Sequence, residues 1–443
     1  MKLTDGVKQI IEKLNICGYD AYAVGGAVRD YCLNNSYSDV DVTTSATPEE
    51  MYSVFNGFKI YPTGLKHGTL TIKSMNEMIE VTTFRCEEGY SDNRRPDKVT
   101  FVRSLEEDLK RRDFTVNAMA YSEKSGIIDL FGGLNDLNSG LIRAVGNAEE
   151  RFNEDALRIL RALRFASKLN FEIEEGTERA IFKTKDLLKK VSKERIYSEL
   201  IKILMGDGVE RVLLKYKEVI FTIIPKLKES DGFDQRNKYH VYDVYTHIVK
   251  SIKECEKNKN ARLSLLLHDI AKPDCFTIGE DGVGHFYGHQ KKSAEIAERI
   301  LKDLKVDNFT IKRIYDLVFL HDIKTELTRA DVKRFLNKHE FDLLNELCMV
   351  KIGDALAHNE LYIKPRIESI EKLYLTAKDI LDKGECYTLR QLKINGSDLK
   401  KLGYSGQKIG EKLNRLLNKV IDGKLENDRE VLIKEINDRR IRK

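Results

Sequence analysis

Two aspartates separated by one residue, Asp39 and Asp41, are the first side chains in the sequence with an evident capacity for chemistry. They follow an apolar segment, 21–24, and the pair Gly25-Gly26, which read as a strand, a tight turn and the start of a helix. Because side chains alternate across a strand, a second strand through the aspartates would direct both carboxylates one way, where they could bind a divalent metal ion. The turn and the helix N-terminus could bind a triphosphate through backbone N–H groups. Metal and phosphate in one place suggest phosphoryl or nucleotidyl transfer.

A second set of chemical groups lies on a predicted helix, 151–171. Its core face carries apolar residues at helical spacing: Ala156, Ile159, Leu160, Leu163 and Ala166. A polar stripe beside this face repeats every third residue and comprises Asp155, Arg158, Arg161 and Arg164. Since Asp accepts and Arg donates hydrogen bonds, a held Asp155–Arg158 pair could read the Watson–Crick edges of cytosine and adenine. An intrahelical salt bridge with solvated arginines is the alternative.

Imidazoles and carboxylates form a third set in the second half of the chain. In order along predicted helices it comprises His247, His268, Asp269, His289, His321 and Asp354. Such ligands suit divalent transition metals as well as Mg²⁺ or Mn²⁺. This set is therefore a candidate for a second metal site.

The composition indicates a soluble, helix-rich protein. With 443 residues the chain exceeds the size of a single core, so we expect several domains. No apolar stretch reaches the length of a membrane span, and the segment 1–16 reads as an amphipathic helix rather than a signal peptide. The seven cysteines are scattered singly, which favours reduced thiols in a cytoplasm over disulfides or a zinc finger.

Positive charge is concentrated at the end of the sequence. The net charge is only +5, but residues 400–443 hold 13 Lys or Arg against 7 Asp or Glu. Such a segment could neutralise nucleic-acid phosphates. A solvated helical tail is the alternative.

The elements around the first aspartates predict a sheet. Residues 58–84 alternate in three strand-like runs, which together with the first two strands give a mixed sheet of about five strands. Residues 85–98 are polar with Gly and Pro and predict a mobile loop, and 104–122 returns to helical spacing. The segment IIDLFGGLNDL then reads as a short strand entering a glycine turn.

Five segments in order resemble motifs of the nucleotidyltransferase superfamily, in the form found in class II tRNA nucleotidyltransferases (the CCA-adding enzymes) and bacterial poly(A) polymerases. GGAVRD with DVD resembles motif A, LKRRDFTVNAMAY motif B, DLFGGLNDL motif C and EDALRILRALRF motif D. SKERIYSELIKIL resembles the motif that follows. The resemblance covers roughly residues 20–205, and the end of the chain resembles the tail of CCA-adding enzymes.

The resemblance implies a role for each matching residue. Asp39 and Asp41 would be catalytic and bind Mg²⁺. The nucleotide-binding residues would be Gly25, Gly26, Arg29 and Arg112 for the triphosphate, Asp155 with Arg158 as a protein template selecting CTP and then ATP, and Arg161 and Arg164 supporting nucleotide or primer. The acceptor would be the 3′-hydroxyl of tRNA, with pyrophosphate leaving.

The histidine-rich region resembles the HD-domain metal phosphohydrolases. His247, His268, Asp269 and Asp354 match the core ligands of that family. His289 and His321 match the additional histidines of its two-metal members. The resemblance implies a divalent ion (Mn²⁺, Mg²⁺, Ni²⁺ or Fe) and hydrolysis of a phosphomonoester or phosphodiester; a degenerate domain kept as a spacer is the alternative.

We therefore expect an α+β protein in four parts. These are a nucleotidyltransferase head, 1–145, a helical neck that selects the nucleotide, 146–225, an HD-type domain, 226–365, and a basic tRNA-binding tail, 366–443. The partners would be tRNA, CTP and ATP, without a membrane, and the oligomeric state stays open. The alternatives are an A-adding tRNA nucleotidyltransferase, a bacterial poly(A) polymerase, and an HD phosphohydrolase with a vestigial transferase head. The 85–98 loop argues against an enzyme that adds only CC.

Overall fold

The computed structural model describes residues 1–89 and 98–441, with side chains up to residue 437 except that of residue 88. It divides into two compact units, one of residues 1–228 and 303–305 and the other of 229–302 and 306–443. Within the described ranges, no helix combines the length and the apolar character that a membrane span requires. The finer division into four parts stays a prediction.

A mixed seven-stranded sheet forms the centre of the first unit. In sheet order the strands are β3 (Lys59–Gly64), β4 (Thr69–Ser74), β5 (Glu77–Thr83), β2 (Asp41–Thr44), β1 (Ala21–Val24), β8 (Met119–Ser122) and β9 (Gly126–Asp129). Only β2 and β5 pair in parallel; the other neighbouring strands are antiparallel. The mixed sheet is confirmed, but the expected number of about five strands was too low. The helical spacing of 104–122 was misleading, because residues 119–122 pair with β1 and β9, and this tertiary pairing outweighs local propensity.

Short helices and one hairpin surround this sheet. The helices are α1 (Asp5–Ile16), α2 (Gly26–Cys32), α3 (Pro48–Val54), α4 (Leu105–Lys110) and α5 (Gly133–Asn138). The hairpin consists of β6 (Arg85–Glu88) and β7 (Lys98–Phe101), paired antiparallel. The predicted loop 85–98 is thus wrong at both ends, where the chain is extended and hydrogen bonded, and residues 90–97 lie outside the described residues.

The rest of the first unit is helical. It contains α6 (Ala148–Glu154), α7 (Leu157–Leu169), α8 (Glu175–Thr184), α9 (Lys193–Leu204), α10 (Val209–Lys215) and α11 (Lys217–Ile223), with the short parallel pair β10 (Leu141–Ile142) and β11 (Glu172–Ile173). The apolar face predicted on 151–171 is confirmed, since all five of its residues are fully buried. The single helix is wrong: Asp155 is extended (φ −136°, ψ 101°), and its Oδ1 accepts the backbone N–H of Leu157 (3.1 Å). An aspartate side chain that accepts the backbone N–H two residues ahead competes with helix continuation, which explains the break.

The second unit is almost entirely helical. Its helices are α12 (Val244–Glu254), α13 (Lys259–Leu267), α14 (His289–Asp303), α15 (Asn308–Leu320), α16 (Arg329–Lys338), α17 (Phe341–Leu356), α18 (Glu360–Asp382), α19 (Gly396–Lys401), α20 (Gln407–Ile421) and α21 (Arg429–Ile441). A two-stranded ribbon, β12 (Thr277–Ile278) and β13 (Gly284–His285), is inserted before α14. Helix α17 packs against α12, α13, α15 and α18. The predicted α+β class, with its strands concentrated near the N-terminus, is confirmed.

Candidate functional site

Asp41 occupies the first position of β2, and Asp39 lies in the loop before it. Val24, the last residue of β1, pairs with Asp41, so the strand ladder ends before it reaches Asp39. The expectation that one strand carries both carboxylates is therefore wrong for Asp39. Asp41 is exposed by surface area, yet lost hydration raises its pKa, and Glu80 and Asp39 add to the rise while Arg112 opposes it. The pKa of Asp41 thus responds to Asp39, Glu80 and Arg112, and a shared metal site for the two aspartates stays a prediction.

Glu80 is a third carboxylate at this position that the sequence analysis missed. It lies on β5, next to Val81, which pairs in parallel with Val42 of β2. The residues that precede this pair, Asp41 and Glu80, point to the same face of the sheet. The signal in the sequence was weak, because only knowledge that β5 lies beside β2 distinguishes Glu80 from any exposed strand residue.

The side chain of Arg112 lies beside the glycine turn. Gly25 has φ 76°, and a Cβ there would lie 3.3 Å from Nη1 of Arg112, so both the backbone and the guanidinium favour glycine. Arg112 is held by Asp108 (Nη2 to Oδ2, 3.3 Å). Its Nε is buried and makes no hydrogen bond to any described residue. An unsatisfied guanidinium next to a glycine turn is suited to an anion.

Arg29 is buried at the start of α2 and has partners of its own. Its Nε donates to Asp30 (2.8 Å) and its Nη1 donates to Asn117 (2.7 Å). The guanidinium also lies 5.2 Å from the ring of Phe165 on α7. Arg29, which was predicted to bind the triphosphate, thus lies where α2, α7 and the segment before β8 meet.

Asp155 and Arg158 are close in sequence but do not pair with each other. Asp155 accepts from Nη2 of Arg195 on α9 (2.7 Å). Arg158 donates from Nη1 to Glu154 (2.5 Å) and from Nη2 to the carbonyl of Arg111 (3.0 Å). The break before α7 separates the two side chains, so the expected i, i+3 pair on one helix face is wrong. Arg195 is a further residue that the analysis missed, although it lies in the quoted segment SKERIYSELIKIL.

Arg161 and Arg164 each face a carboxylate. Arg161 donates from Nε to Asp113 (2.8 Å), and Arg164 donates from Nη1 to Glu199 (3.2 Å). Burial raises the pKa of Asp113, but Arg161 outweighs burial and holds that pKa below its usual value. Burial and the neighbouring Arg161 lower the pKa of Arg164. Both arginines therefore bridge α7 to other elements of the first unit.

In the second unit, all six residues of the predicted metal set lie together. They form two groups of potential ligand atoms, one of His247, His268 and Asp354 and one of Asp269, His289 and His321. In the first group, Nε2 of His247 lies 2.9 Å from Asp354. In the second, Nε2 of His289 lies 3.2 Å from Nε2 of His321 and 3.4 Å from Asp269. Asp269 also lies 3.2 Å from Nε2 of His268, so its carboxylate joins the two groups.

The donor atoms of this cluster fit divalent metal ions. Nδ1 of His268, His289 and His321 lies 2.6–2.8 Å from the carbonyl oxygen three residues earlier. Donation from Nδ1 directs the Nε2 lone pair into the cluster, the arrangement that metal-binding histidines adopt. Nε2 of His268 and Oδ1 of Asp269 are buried without a hydrogen bond in the part of the chain described. Burial lowers the pKa of His268, but Asp269 and Asp354 outweigh it and raise that pKa to about 10. These carboxylates therefore favour a proton on His268, and a bound metal ion would replace that proton.

A cavity of ≈ 460 Å³ opens onto the cluster. Besides four of the potential ligands, its lining includes Lys272, Lys351, His358 and Arg366, none of which the sequence analysis selected. Lys272 lies 2.7 Å from Asp269 and donates to Gln235 (2.8 Å). The cavity thus combines an oxygen and nitrogen ligand set with cationic groups, a combination suited to phosphate.

Family comparisons cover most of the chain. Residues 21–143 match the family "Poly A polymerase head domain", 170–227 match "Probable RNA and SrmB-binding site of polymerase A", and 286–436 match a tRNA nucleotidyltransferase domain 2. The chain is 36% identical to the CCA-adding enzyme of Ligilactobacillus salivarius over 431 residues, which covers 96% of this chain and 94% of the relative. It is 36% identical to that of Enterococcus faecalis over 427 residues, covering 96% and 93%.

Solved structures give the same relationship. A structure of the Bacillus stearothermophilus CCA-adding enzyme in complex with CTP covers 100% of both chains with TM-score 0.69 and 30% identity. The Thermotoga maritima CCA-adding enzyme complexed with tRNA shares the fold, with TM-score 0.61, 21% identity and coverage of 98% of this chain and 94% of that chain. With full-length relatives above 30% identity and a head whose carboxylates, glycine turn and arginine converge, the chain belongs to the CCA-adding enzymes.

Proposed function

We propose that Asp39, Asp41 and Glu80, with the Gly25-Gly26 turn and Arg112, carry the nucleotidyl transfer by which this chain adds CCA to tRNA. The 3′-oxygen of tRNA forms a bond to the α-phosphorus of CTP or ATP, the bond from that phosphorus to the β-phosphate oxygen breaks, and pyrophosphate leaves with the electron pair. The hydroxyl proton is lost to solvent. The observation that carries this proposal is the convergence of Asp41, Arg112 and Gly25 in one place.

The carboxylates fit the divalent metal ion that this chemistry uses. Mg²⁺ bound by Asp39, Asp41 and Glu80 would favour the ionised 3′-oxygen and neutralise charge on the triphosphate. Lost hydration is the main cause of the raised pKa of Asp41, and the charges of Glu80 and Asp39 add to it. A cation bound at this position would favour the ionised carboxylate, which supports the assignment. The three side chains then fix where the acceptor oxygen and the α-phosphate meet.

Arg112 and the glycine turn bind the triphosphate in this proposal. The unpaired Nε of Arg112 and its Nη1, beside Gly25, offer charge-assisted hydrogen bonds to phosphate oxygens. Glycine at 25 allows the phosphate to approach the backbone closely. Arg29 contacts Asn117 and the ring of Phe165 and so holds α2 against α7.

In this proposal Asp155 and Arg158 select the base, and different residues hold each of them in place. Arg195 fixes Asp155, while Glu154 and the carbonyl of Arg111 fix Arg158. An acceptor and a donor set apart in this way can face the Watson–Crick edges of cytosine and adenine without a nucleic-acid template. Arg161 and Arg164 support the nucleotide or primer next to this pair. The tRNA body would contact the basic tail, 366–443, in the cytoplasm.

One assay tests the activity and separates it from the alternatives. Purified protein is incubated with tRNAs ending at the discriminator base, at C and at CC, each with labelled CTP or ATP. We expect CTP addition to the first two substrates and ATP addition to the third. Addition of ATP alone to the third would indicate an A-adding enzyme, and long runs of A would indicate a poly(A) polymerase.

A second function is favoured by the six-residue cluster in the second unit. We propose that His247, His268, Asp269, His289, His321 and Asp354 bind two divalent ions and that the site hydrolyses a phosphate ester. The convergent Nε2 atoms and the bridging position of Asp269 support this. The ions would activate water, with Mn²⁺, Mg²⁺, Ni²⁺ or Fe as candidates. Metal analysis and p-nitrophenyl phosphatase assays of the His268→Ala/Asp269→Ala protein test the proposal: both signals should fall while CCA addition persists.

A further inference from the structure

Asp108 is a fully buried carboxylate next to the nucleotide site, and none of the roles above accounts for it. It lies on α4 with no exposed surface. A charge at such a position is costly unless oppositely charged groups and hydrogen bonds compensate it. The groups that contact the Asp108 carboxylate therefore indicate its role.

Each oxygen of Asp108 serves a different set of partners. Oδ1 accepts from Nε and Nη2 of Arg111 (2.9 and 2.7 Å). Oδ2 accepts from Nη2 of Arg112 (3.3 Å) and from the hydroxyl of Thr43 (3.2 Å). Thr43 lies on β2, two residues after Asp41. One carboxylate thus ties Arg112 to the strand that begins with a catalytic aspartate.

Arg111 has a second carboxylate partner besides Asp108. Arg111 also reaches Glu87 on β6 (3.4 Å), and Glu87 in turn accepts from Arg85 (2.7 Å). Arg111 satisfies most of the demand on Asp108, and the weaker 3.3 Å contact leaves the charge of Arg112 available to a ligand.

The geometry of Arg112 then depends on this one contact. Asp108 holds Nη2, which leaves Nη1 beside Gly25 and Nε buried without a partner among residues 1–89 and 98–441. An arginine side chain loses conformational entropy when its guanidinium is fixed. Without the contact to Asp108, Arg112 would lose that entropy on binding phosphate, and the affinity for phosphate would be lower.

We propose that Asp108 is a positioning residue that aims the guanidinium of Arg112 at the triphosphate and thereby sets the affinity for CTP and ATP alike. The inference rests on the proposed function of the head. It gives Asp108 no contact with substrate and no part in proton transfer. It predicts that replacing Asp108 changes the KM for CTP and ATP only when Arg112 is present.

The test is a double-mutant cycle on the full chain. Asp108→Asn keeps the shape but loses the charge, and Arg112→Gln removes the guanidinium. We expect Asp108→Asn alone to raise the KM for both CTP and ATP about tenfold, with the KM for tRNA unchanged, because a charge-assisted contact is lost. In the Arg112→Gln background the same substitution should change nucleotide KM by less than about twofold, since there is no guanidinium left to aim.

The controls separate aiming from folding. Glu50→Gln removes the partner of Arg103 elsewhere in the head and should leave every KM unchanged. If Asp108→Asn does not fold, Thr43→Val is carried through the same cycle; it removes the hydroxyl that contacts both Oδ2 of Asp108 and the carbonyl of Thr82. A nucleotide KM equal to that of the parent, or an equal rise in both backgrounds, would overturn the inference. A parent protein that adds no CTP to tRNA would instead refute the proposed function.

Discussion

The carboxylate of Asp155 is bound to Arg195, 2.7 Å from Oδ2 to Nη2, rather than to Arg158. Arg158 is bound to Glu154 and to the carbonyl of Arg111. The two proposed base-reading side chains are therefore fixed by separate elements, α9 on one side and α6 with the end of α4 on the other. If these two side chains select the base as proposed, their selectivity depends on residues that need not touch the nucleotide.

Replacing Arg195 should reduce base selectivity. In Arg195→Met the Asp155 carboxylate loses its charged partner and becomes free to adopt other rotamers. We expect incorporation of UTP or GTP relative to CTP to rise about tenfold, the equivalent of one charge-assisted hydrogen bond. Competition assays on tRNA ending at the discriminator base measure this ratio. Glu194→Gln, exposed on the same helix, is the control, and unchanged selectivity in Arg195→Met would contradict the assignment.

Replacing Glu80 should shift the pH profile of the reaction. Glu80 raises the pKa of Asp41, and Asp41 must be ionised to bind metal. In Glu80→Gln the pKa of Asp41 therefore falls, and the acidic limb of kcat/KM should move to lower pH while kcat decreases. Glu77→Gln at the start of the same strand should leave the profile in place. If the acidic limb of kcat/KM is unchanged or moves to higher pH, Glu80 does not raise the pKa of Asp41.

The ion pair between Asp113 and Arg161 should stabilise the first unit in a pH-dependent way. The folded pKa of Asp113 lies below its unfolded value of about 3.9, so its contribution is complete above that pH and is lost as pH falls further. At pH 7 we expect Asp113→Asn to lower the free energy of unfolding by about 2 kcal/mol. Denaturant titrations should find this difference shrinking below about pH 4. A difference that is constant with pH would exclude an electrostatic origin; Asp186→Asn, in an exposed pair, is the control.

The cluster in the second unit should bind two metal ions that can be removed in part. His321 belongs to only one of the two potential ligand groups. We expect the parent to retain about two equivalents of divalent metal after dialysis and His321→Ala to retain about one, measured by elemental analysis. His339→Ala, at the end of α16, should retain both. Equal metal content in the parent and His321→Ala would argue against two sites, and CCA addition should be the same in all three proteins.

Patterns that depend on neighbours along the chain predicted this molecule best. The strand–glycine–helix segment at 21–32, the buried face of α7 and the six potential ligands that lie together in the second unit follow from local periodicity or from a resemblance carried by contiguous motifs. The α+β class followed from the same signals, and membership of the nucleotidyltransferases required the ordered motifs.

Features that depend on contacts between distant segments could not be predicted in the same way. Strand β8 looks helical until β1 and β9 pair with it, and Glu80 looks like any exposed residue until β5 lies beside β2. The predicted Asp155–Arg158 pair does not form because the chain is extended at Asp155, whose side chain accepts the backbone N–H of Leu157. Local propensity cannot anticipate which of two competing hydrogen bonds an aspartate will make.

The most direct measurement of the central claim compares the parent with Asp41→Asn on tRNA ending at the discriminator base, with CTP and ATP supplied together. Products are resolved at single-nucleotide length and sequenced. The parent should add C, C and A and then stop, while Asp41→Asn should fold normally and add almost nothing, because a metal-binding carboxylate has been lost. Addition of A alone, continued extension by the parent, or undiminished addition by Asp41→Asn would contradict the assignment of function to this site.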